Sequence, residues 1–384
     1  MTSSSEISEL KFRMNINQLF FELIQVALGT RVCLSHSPTG EEWKVLYEMA
    51  KKQSLVGVCF AGVQQLQQQR QCPPEMLYFT WMGMAAKIQQ RNEIVNRQCV
   101  ELQKRLSVEG VKSSILKGQG IANLYYESLR GLRQSGDIDV LVDCDFVRAA
   151  SFAKSSTDIN VKWAYKDISL PIFQDTEVEL HIKPGLMFNP IHNRTWQKWY
   201  NSNKDIIFLP EYGNGFSTPS IEFNLIYILQ HCYMHLFESG VGLRQVMDYY
   251  FVLRTANKEV PDGFSFDSAQ EPKFQKVSDI LKSLRLLKFA SAMMWVQKYV
   301  FGLEEKYMIC EPSEKEGKFL LNEIIQSGNF GKYDTRLQMD SNLKFKQMHY
   351  FLKRALLIVG HYPQEALWMP CYFAWHFIMK LIKR

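Results

Sequence analysis

The sequence predicts an α+β fold, in which a small mixed β-sheet is flanked along the chain by two helical regions. Apolar residues recur with helical spacing up to residue 107, short segments rich in β-branched residues occupy 108–188, and helical spacing returns from 189 onward. We therefore divide the chain into an N-terminal helical region (1–107), a core (108–188) and a C-terminal helical domain with a basic tail (189–384).

The composition is that of an ordinary globular protein, with 46% hydrophobic and 22% charged residues in a chain of 384. The eight cysteines are scattered and form no CxxC pair, which argues against a disulfide framework and predicts reduced thiols in a cytoplasmic protein. The first residues lack a basic leader followed by an uncharged apolar core, so we expect no signal peptide. No apolar run reaches the roughly 18–20 residues of a transmembrane helix.

The positive charge of the chain is concentrated at its C-terminal end. The net charge is +6, and residues 341–384 hold seven basic residues and one acidic residue, so this basic tail accounts for the whole excess. The tail predicts either a helical hairpin with a solvated basic face or a surface for an anionic partner, such as a membrane or a nucleic acid. Both interpretations stay open at this point.

The segment DIDVLVD predicts a strand with carboxylates on one face. Because side chains alternate along a strand, Asp137 and Asp139 share one face. The other face is apolar and is formed by Ile138, Val140 and Val142. Two carboxylates this close repel each other, and a divalent cation relieves the repulsion by binding both.

A second predicted strand, TEVELHIK, carries Glu177, Glu179 and His181 on one face. If this strand lies beside DIDVLVD, a glutamate joins the two aspartates, and three oxygen ligands suit Mg²⁺ or Mn²⁺. The alternative is a pair of amphipathic strands with a solvated acidic face. Periodicity alone does not decide between them.

A glycine turn, KGQG, precedes these strands. Gly118 and Gly120 allow the backbone to approach a phosphate, and the start of the following helix offers free N–H groups. A lone GxG is a weak signal. It becomes more specific when it lies ahead of a strand with two aspartates and a later strand with a third acid.

In this order, the motifs resemble the nucleotidyltransferases of the DNA polymerase β superfamily, and most closely the bacterial family described as uncharacterised nucleotidyltransferase. The resemblance covers roughly residues 40–260. It rests on Leu116-Lys117-Gly118, Leu124-Tyr125, Arg133, Asp137-Ile138-Asp139, Leu141-Val142, Glu179-Leu180-His181, and the later His231, His235, Arg244 and Asp248.

The resemblance implies two-metal transfer of a nucleoside monophosphate from a nucleoside triphosphate to a hydroxyl group, with two Mg²⁺ or Mn²⁺ ions. It implies that Asp137 and Asp139 hold both ions, and that Glu179 completes the site of the ion that activates the acceptor. Lys117 and Arg133 become candidates for binding the triphosphate. The alternative for Arg133 is a salt bridge that orients an aspartate, and for Lys117 it is a cap on the turn.

One departure from the superfamily lies in the turn, which usually reads Gly-Ser or Gly-Gly and here reads Gly118-Gln119-Gly120. The backbone N–H groups of all three residues remain candidates for binding phosphate. The missing serine supports an alternative function, in which a catalytically inactive protein of this fold binds partners or regulates them. The complete set of acids favours the enzyme.

The later helical segment places His231 and His235 one turn apart on the same face. This spacing allows three roles: the histidines lie in the core or at an interface, they contact the nucleotide or acceptor, or they bind zinc. Arg244 and Asp248 have the same spacing and predict an intrahelical ion pair, with Arg244 a further candidate contact. His181 either shapes the acceptor side of the site or is a polar residue at the rim of the sheet.

The acceptor is not encoded in any motif, because the superfamily modifies small molecules, proteins and RNA ends. We find no RNA-recognition signature apart from the basic tail. A small hydroxylated molecule is therefore favoured over a protein or a tRNA.

Overall fold

The structure, a computed structural model, describes residues 4–159, 161–163, 167–209, 215–259, 275–337 and 346–382. It confirms the predicted α+β fold, because a five-stranded mixed sheet lies between two helical regions. The N-terminal helices are α1 (Ser4–Leu28), α2 (Gly40–Lys52), α3 (Val56–Leu66) and α4 (Glu75–Val108).

Local sequence signals explain where these helices begin and end. The Thr39 hydroxyl accepts a hydrogen bond from the backbone N–H of Glu42, and the Glu42 carboxylate accepts one from the backbone N–H of Thr39, which fixes the start of α2. Helix α4 follows Pro74 and ends before Gly110, which has the positive φ of 67° that favours glycine.

The sheet and its short helices follow in the order predicted for the core. The elements are β1 (Ser113–Leu116), α5 (Lys117–Ala122), α6 (Glu127–Arg130), β2 (Ile138–Val142), α7 (Phe146–Ser156), β3 (Lys162–Trp163), β4 (Asp167–Ser169) and β5 (Val178–His181). The strand order is β1-β2-β5-β4-β3. Strands β2 and β5 are parallel, and the other neighbouring pairs are antiparallel.

Helices return after the sheet, as predicted. They are α8 (Pro190–Asn201), α9 (Ile221–Glu238), α10 (Leu243–Glu259), α11 (Gln275–Ser283), α12 (Leu287–Phe301), α13 (Glu314–Ser327), α14 (Lys346–Ile358), α15 (Pro363–Ala366) and α16 (Met369–Ile382). In the part of the chain that the structure describes, no helix is both long enough and apolar enough to cross a bilayer.

Both faces of the sheet are covered. Ile138, Val140 and Val142 pack with residues of α4 and α7 in one hydrophobic cluster, which confirms the predicted apolar face. Leu141 points to the opposite face and joins a larger cluster that extends from α1 to α15 and the start of α16. The N-terminal and C-terminal helices therefore share one core, and the acid-bearing face of β2 lies against it instead of facing solvent.

Candidate active site

The parallel pairing of β2 and β5 brings the predicted acids together. The register places Asp139 opposite Glu179 and Leu141 opposite His181. The side-chain ligand atoms of Asp139, Glu179 and His181 lie within 4.8 Å of one another. Asp139 is only 4% exposed, so the alternative of a solvated acidic face does not describe it.

Lys117 provides the positive charge in this acidic cluster. Its Nζ atom lies 2.9 Å from Oδ1 of Asp139. Burial opposes a charged lysine, but Asp139 and Asp137 outweigh it and raise the pKa of Lys117 above its ordinary value. Lys117 has a φ of +45°, an uncommon conformation for a residue with a Cβ, so the fold holds this side chain in place at a cost in backbone strain.

His181 contacts both acids of the cluster. Its Nε2 atom lies 2.8 Å from Oδ1 of Asp139 and 3.3 Å from Oε2 of Glu179. The hydrogen bond to His181 lowers the pKa of Glu179. Burial would raise the pKa of Asp139, but Lys117 and His181 outweigh it and hold that pKa well below its usual range. Asp139 and Glu179 are thus kept as carboxylates.

Asp137 occupies a different position from the other two acids. It immediately precedes β2, is exposed, and lines the mouth of the pocket above the cluster. The negative charge of the neighbouring Asp139 is the main reason that the pKa of Asp137 is raised above its ordinary value. The cluster of ligand atoms therefore contains His181, while Asp137 lies outside it.

The glycine turn presents only its first part to this pocket. Gly118, with a φ of +35°, lines it. The Gln119 side chain is buried and donates to Oδ1 of Asn96 in a neighbouring groove. A Cβ at position 120 would lie 2.6 Å from the backbone oxygen of Ile115, so Gly120 permits close packing on β1. The structure thus places Gln119 and Gly120 away from the pocket, although the sequence predicted that both contact the nucleotide.

Arg133 lines the pocket, but its guanidinium is already paired. Nε and Nη2 each donate to one carboxylate oxygen of Asp248 at 2.7 Å, and both residues are buried. The predicted intrahelical pair of Arg244 and Asp248 is therefore replaced by a pair between two distant segments. The reason is geometric, because the flat guanidinium of Arg133 meets the carboxylate edge on and forms a bidentate contact.

Arg244, His231 and His235 line the same pocket. Nη1 of Arg244 donates to the backbone oxygen of Gln134 at 2.8 Å. Burial and the neighbouring Arg133 lower the pKa of Arg244 to about 10, so the guanidinium stays charged at neutral pH. The two histidine rings lie 4.3 Å apart, edge to face. Among the described residues, the three-ligand cluster is the one around Asp139, and it does not include these histidines.

The sequence of residues 39–302, well over half of the chain, matches the family profile described as uncharacterised nucleotidyltransferase. The chain belongs to this nucleotidyltransferase family. No curated protein and no solved structure gives a significant match. The family match includes the acidic cluster, the glycine turn and the pocket residues of α9 and α10.

One pocket residue of this nucleotidyltransferase family member lies beyond the matched region. Phe330 has a φ of +53° and is 39% exposed, and its ring lines the pocket. The ring centroid is 5.5 Å from the guanidinium carbon of Arg244 and 5.1 Å from the His235 ring. Phe330 is not among the residues predicted from the sequence; the available signal was an aromatic residue between two glycines, in SGNFG.

The loop that carries Phe330 is held tightly against the turn between α9 and α10. A Cβ at position 331 would lie 1.9 Å from the backbone oxygen of Ser239, and a Cβ at position 242 would lie 2.8 Å from Cα of Asn329. Side chains at these positions would separate the two segments. The glycines therefore fix the Phe330 ring as a wall of the pocket.

Proposed function

We propose that this protein transfers a nucleoside monophosphate from a nucleoside triphosphate to a hydroxyl group of an acceptor, with Mg²⁺ or Mn²⁺ as cofactor. The observation that carries the proposal is the pairing of Asp139 with Glu179 in register on parallel strands. It gathers carboxylates on the floor of a pocket that Gly118 and Arg244 also line. The pocket encloses about 780 Å³, including its open mouth.

The residues of the floor fit a divalent cation. Asp139 and Glu179 are carboxylates, the ligands that Mg²⁺ prefers, and the contact with Lys117 already stabilises a positive charge there. Asp139 and Glu179 would hold the metal, with Asp137 at the pocket mouth as a further ligand, in keeping with the predicted pair of ions. A bound Mg²⁺ neutralises charge on the transferring phosphoryl group and favours ionisation of the attacking hydroxyl.

The remaining residues bind and orient the nucleotide in this proposal. Gly118 offers backbone close to the phosphates, and Lys117 and Arg244 supply positive charge to the triphosphate. Arg133 acts as a positioning residue, because its guanidinium is held by Asp248. His181 orients the two carboxylates through its contacts with Asp139 and Glu179.

The aromatic part of the pocket lining supports a role in holding the base. Phe330 presents a partly exposed ring, and aromatic faces stack on nucleobases. His235 lies beside this ring and His231 lies beside His235, and both offer polar contacts to the base or the acceptor. The base itself is left open by these contacts.

A small hydroxylated acceptor remains favoured over a protein or a tRNA. Asp139 lies at the bottom of the pocket and is almost completely buried, so a small hydroxyl compound reaches it more easily than a folded polymer does. The cytoplasmic location stays a prediction from the cysteine pattern.

A second candidate function is a protein that binds nucleotide without catalysis. The observation that favours it is the engagement of Asp139 by both Lys117 and His181. Gln119, which stands in place of the usual serine or glycine, also points away from the pocket. If these contacts persist with nucleotide bound, binding occurs without metal and no transfer follows.

The first experiment is isothermal titration calorimetry of ATP, GTP, CTP and UTP, each with Mg²⁺, on wild type and Asp137→Asn/Asp139→Asn. Glu177→Gln is the matched control, because this exposed acid precedes the same strand as Glu179 but does not line the pocket. We expect one nucleotide to bind wild type and the control alike, and to bind the double variant at least about tenfold more weakly, the effect of roughly 1.4 kcal/mol.

Release of pyrophosphate then separates the two candidate functions. The bound nucleotide is incubated with Mg²⁺ and panels of sugars, sugar phosphates, nucleosides, and total tRNA. Release that needs one acceptor and is lost in Asp139→Asn supports transfer. The non-catalytic candidate is supported if nucleotide binding does not need Mg²⁺, persists in Asp139→Asn and gives no pyrophosphate. A folded protein that binds no nucleotide contradicts both.

A further inference from the structure

The C-terminal helices expose an unusual number of large apolar side chains. Leu356 is 75% exposed and Leu367 is 66% exposed. Four more exposed residues lie on or between α14 and α16: Leu352, Leu357, Trp368 and Trp375. Single exposed leucines are common, but six exposed large apolar side chains within 24 residues of chain are a feature of surfaces that bind a partner. We call these six residues the apolar face.

The apolar face is the outer side of helices whose inner sides are well packed. On α14, Phe351, Ala355 and Ile358 are buried while Leu352 and Leu356 point outward. Helices α14 and α16 pack side by side. Phe351 also stacks on Phe373 of α16, with ring centroids 3.5 Å apart. The exposed side chains are therefore not needed to attach these helices to the core.

The chain segment that carries the apolar face, residues 341–384, has seven basic residues and one acid. Glu365 is the one acid among residues 341–384, and it is buried, accepting hydrogen bonds from the backbone N–H groups of Phe188 and Asn189. Arg354 is also buried and pairs with Glu323. Lys353 is exposed on α14 next to Leu352.

We propose that the apolar face binds the surface of an anionic lipid bilayer. Leucine and tryptophan side chains enter the boundary between headgroups and acyl chains, and lysines beside them are attracted to anionic headgroups. A nucleic acid would use the basic residues but not the exposed leucines. The helices lie on the bilayer in this proposal, in keeping with the finding that no described helix is suited to span it. This inference does not depend on the proposed reaction.

The test is sedimentation of the full-length protein with vesicles. Vesicles of phosphatidylcholine with one quarter phosphatidylglycerol are compared with vesicles of phosphatidylcholine alone, at low salt and at 0.5 M NaCl. The test variant is Leu356→Ser/Leu367→Ser/Trp368→Ser. The matched control is Met76→Ser/Phe79→Ser/Met82→Ser, which removes three exposed apolar side chains from α4.

We expect wild type and the control to sediment with anionic vesicles at low salt. The partition coefficient of the test variant should be lower by at least about tenfold. Lys353→Glu lowers binding to anionic vesicles while binding to neutral ones stays low. Circular dichroism verifies that all variants are folded. The proposal is overturned if wild type does not sediment, or if the test and control variants lose binding equally. It is also overturned if the test variant instead dissociates a dimer, which identifies a second copy as the occupant.

Discussion

Arg133 and Asp248 form a buried bidentate ion pair that joins the segment before β2 to helix α10. Tyr125 also donates its hydroxyl hydrogen to the same carboxylate at 2.7 Å. The pair lies beside the pocket and holds its walls together. Because both charges are removed from water, each depends on the other for its stability.

Removing only the acid of this pair is expected to be severe. Asp248→Leu leaves the Arg133 guanidinium buried without its partner, and we expect a loss of about 3–5 kcal/mol in the free energy of unfolding. The triple variant Tyr125→Phe/Arg133→Met/Asp248→Leu removes the buried charges together and should recover most of that loss. Urea unfolding followed by circular dichroism measures both. A triple variant as unstable as the single one would show that the charges themselves are required.

Phe330 is expected to contribute to nucleotide affinity through its ring. Phe330→Ala should weaken the binding of the preferred nucleoside triphosphate by about 1–3 kcal/mol, or roughly 5- to 150-fold, because a stacking face is lost. Binding of inorganic tripolyphosphate should not change. The control is Tyr333→Ala, which removes an exposed ring from the same loop outside the pocket. If Phe330→Ala weakens tripolyphosphate equally, the ring supports Arg244 and not the base.

Lys117 is expected to substitute for a metal ion in the unliganded protein. In Lys117→Met the carboxylates of Asp139 and Glu179 lose a cation, so the free energy of unfolding should fall in the presence of EDTA. Mg²⁺ at a hundred times the Kd of the variant should then stabilise the variant by about 2.7 kcal/mol, and should stabilise wild type by less. Thermal unfolding with EDTA and with Mg²⁺ measures the difference.

The matched control for this test is Lys204→Met. Its ammonium pairs with Asp143 at 2.7 Å, and neither residue lines the pocket. Mg²⁺ should shift the melting temperature of this control no more than that of wild type. Equal Mg²⁺ shifts in all three proteins would argue against a cation site at Asp139 and Glu179.

The stability of the protein at acidic pH is expected to depend on Asp334. Burial opposes its ionisation, but hydrogen bonds from the Arg336 guanidinium outweigh burial and lower the pKa of Asp334 below its ordinary value of 3.8. A pKa that is lower in the folded state stabilises the fold above the unfolded value, and the stabilisation is lost as the pH falls through the folded value.

The substitution Asp334→Asn should therefore lower the free energy of unfolding more at pH 7 than at pH 3. Urea titrations at a series of pH values measure this difference. In an Arg336→Met background the dependence on pH should shrink, because the guanidinium that lowers the pKa of Asp334 is absent. A difference between wild type and Asp334→Asn that does not change with pH would refute the assignment.

Some features of the site were predicted correctly because they depend only on alternation along a strand. The apolar side of β2 and the acid side that carries Asp139 follow from its sequence, as does the matching pattern of Glu179 and His181 on β5. The pairing of the two strands was expected only from the resemblance to a family. About 40 residues separate them in the chain, and no local pattern specifies that β5 lies beside β2 and parallel to it.

Contacts between distant segments explain why some residues lie elsewhere than their local spacing suggested. Gln119 and Gly120 turn away from the pocket because α5 packs against β1 and α4. Asp248 pairs with Arg133 instead of Arg244, its neighbour one turn away on α10. In each case a residue far away in the chain offered better packing or a bidentate hydrogen bond, and such partners are not visible in local spacing.

The sequence by itself determined the order of helices and strands, the acids on one strand face, and the family. Only the tertiary structure decided that Lys117 neutralises Asp139, that His181 joins the acids, and that Phe330 lines the pocket. The physical reason is the range of the interactions. Periodicity and capping act over a few residues, whereas burial of a charge and the approach of an aromatic ring depend on segments that meet only when the chain is folded.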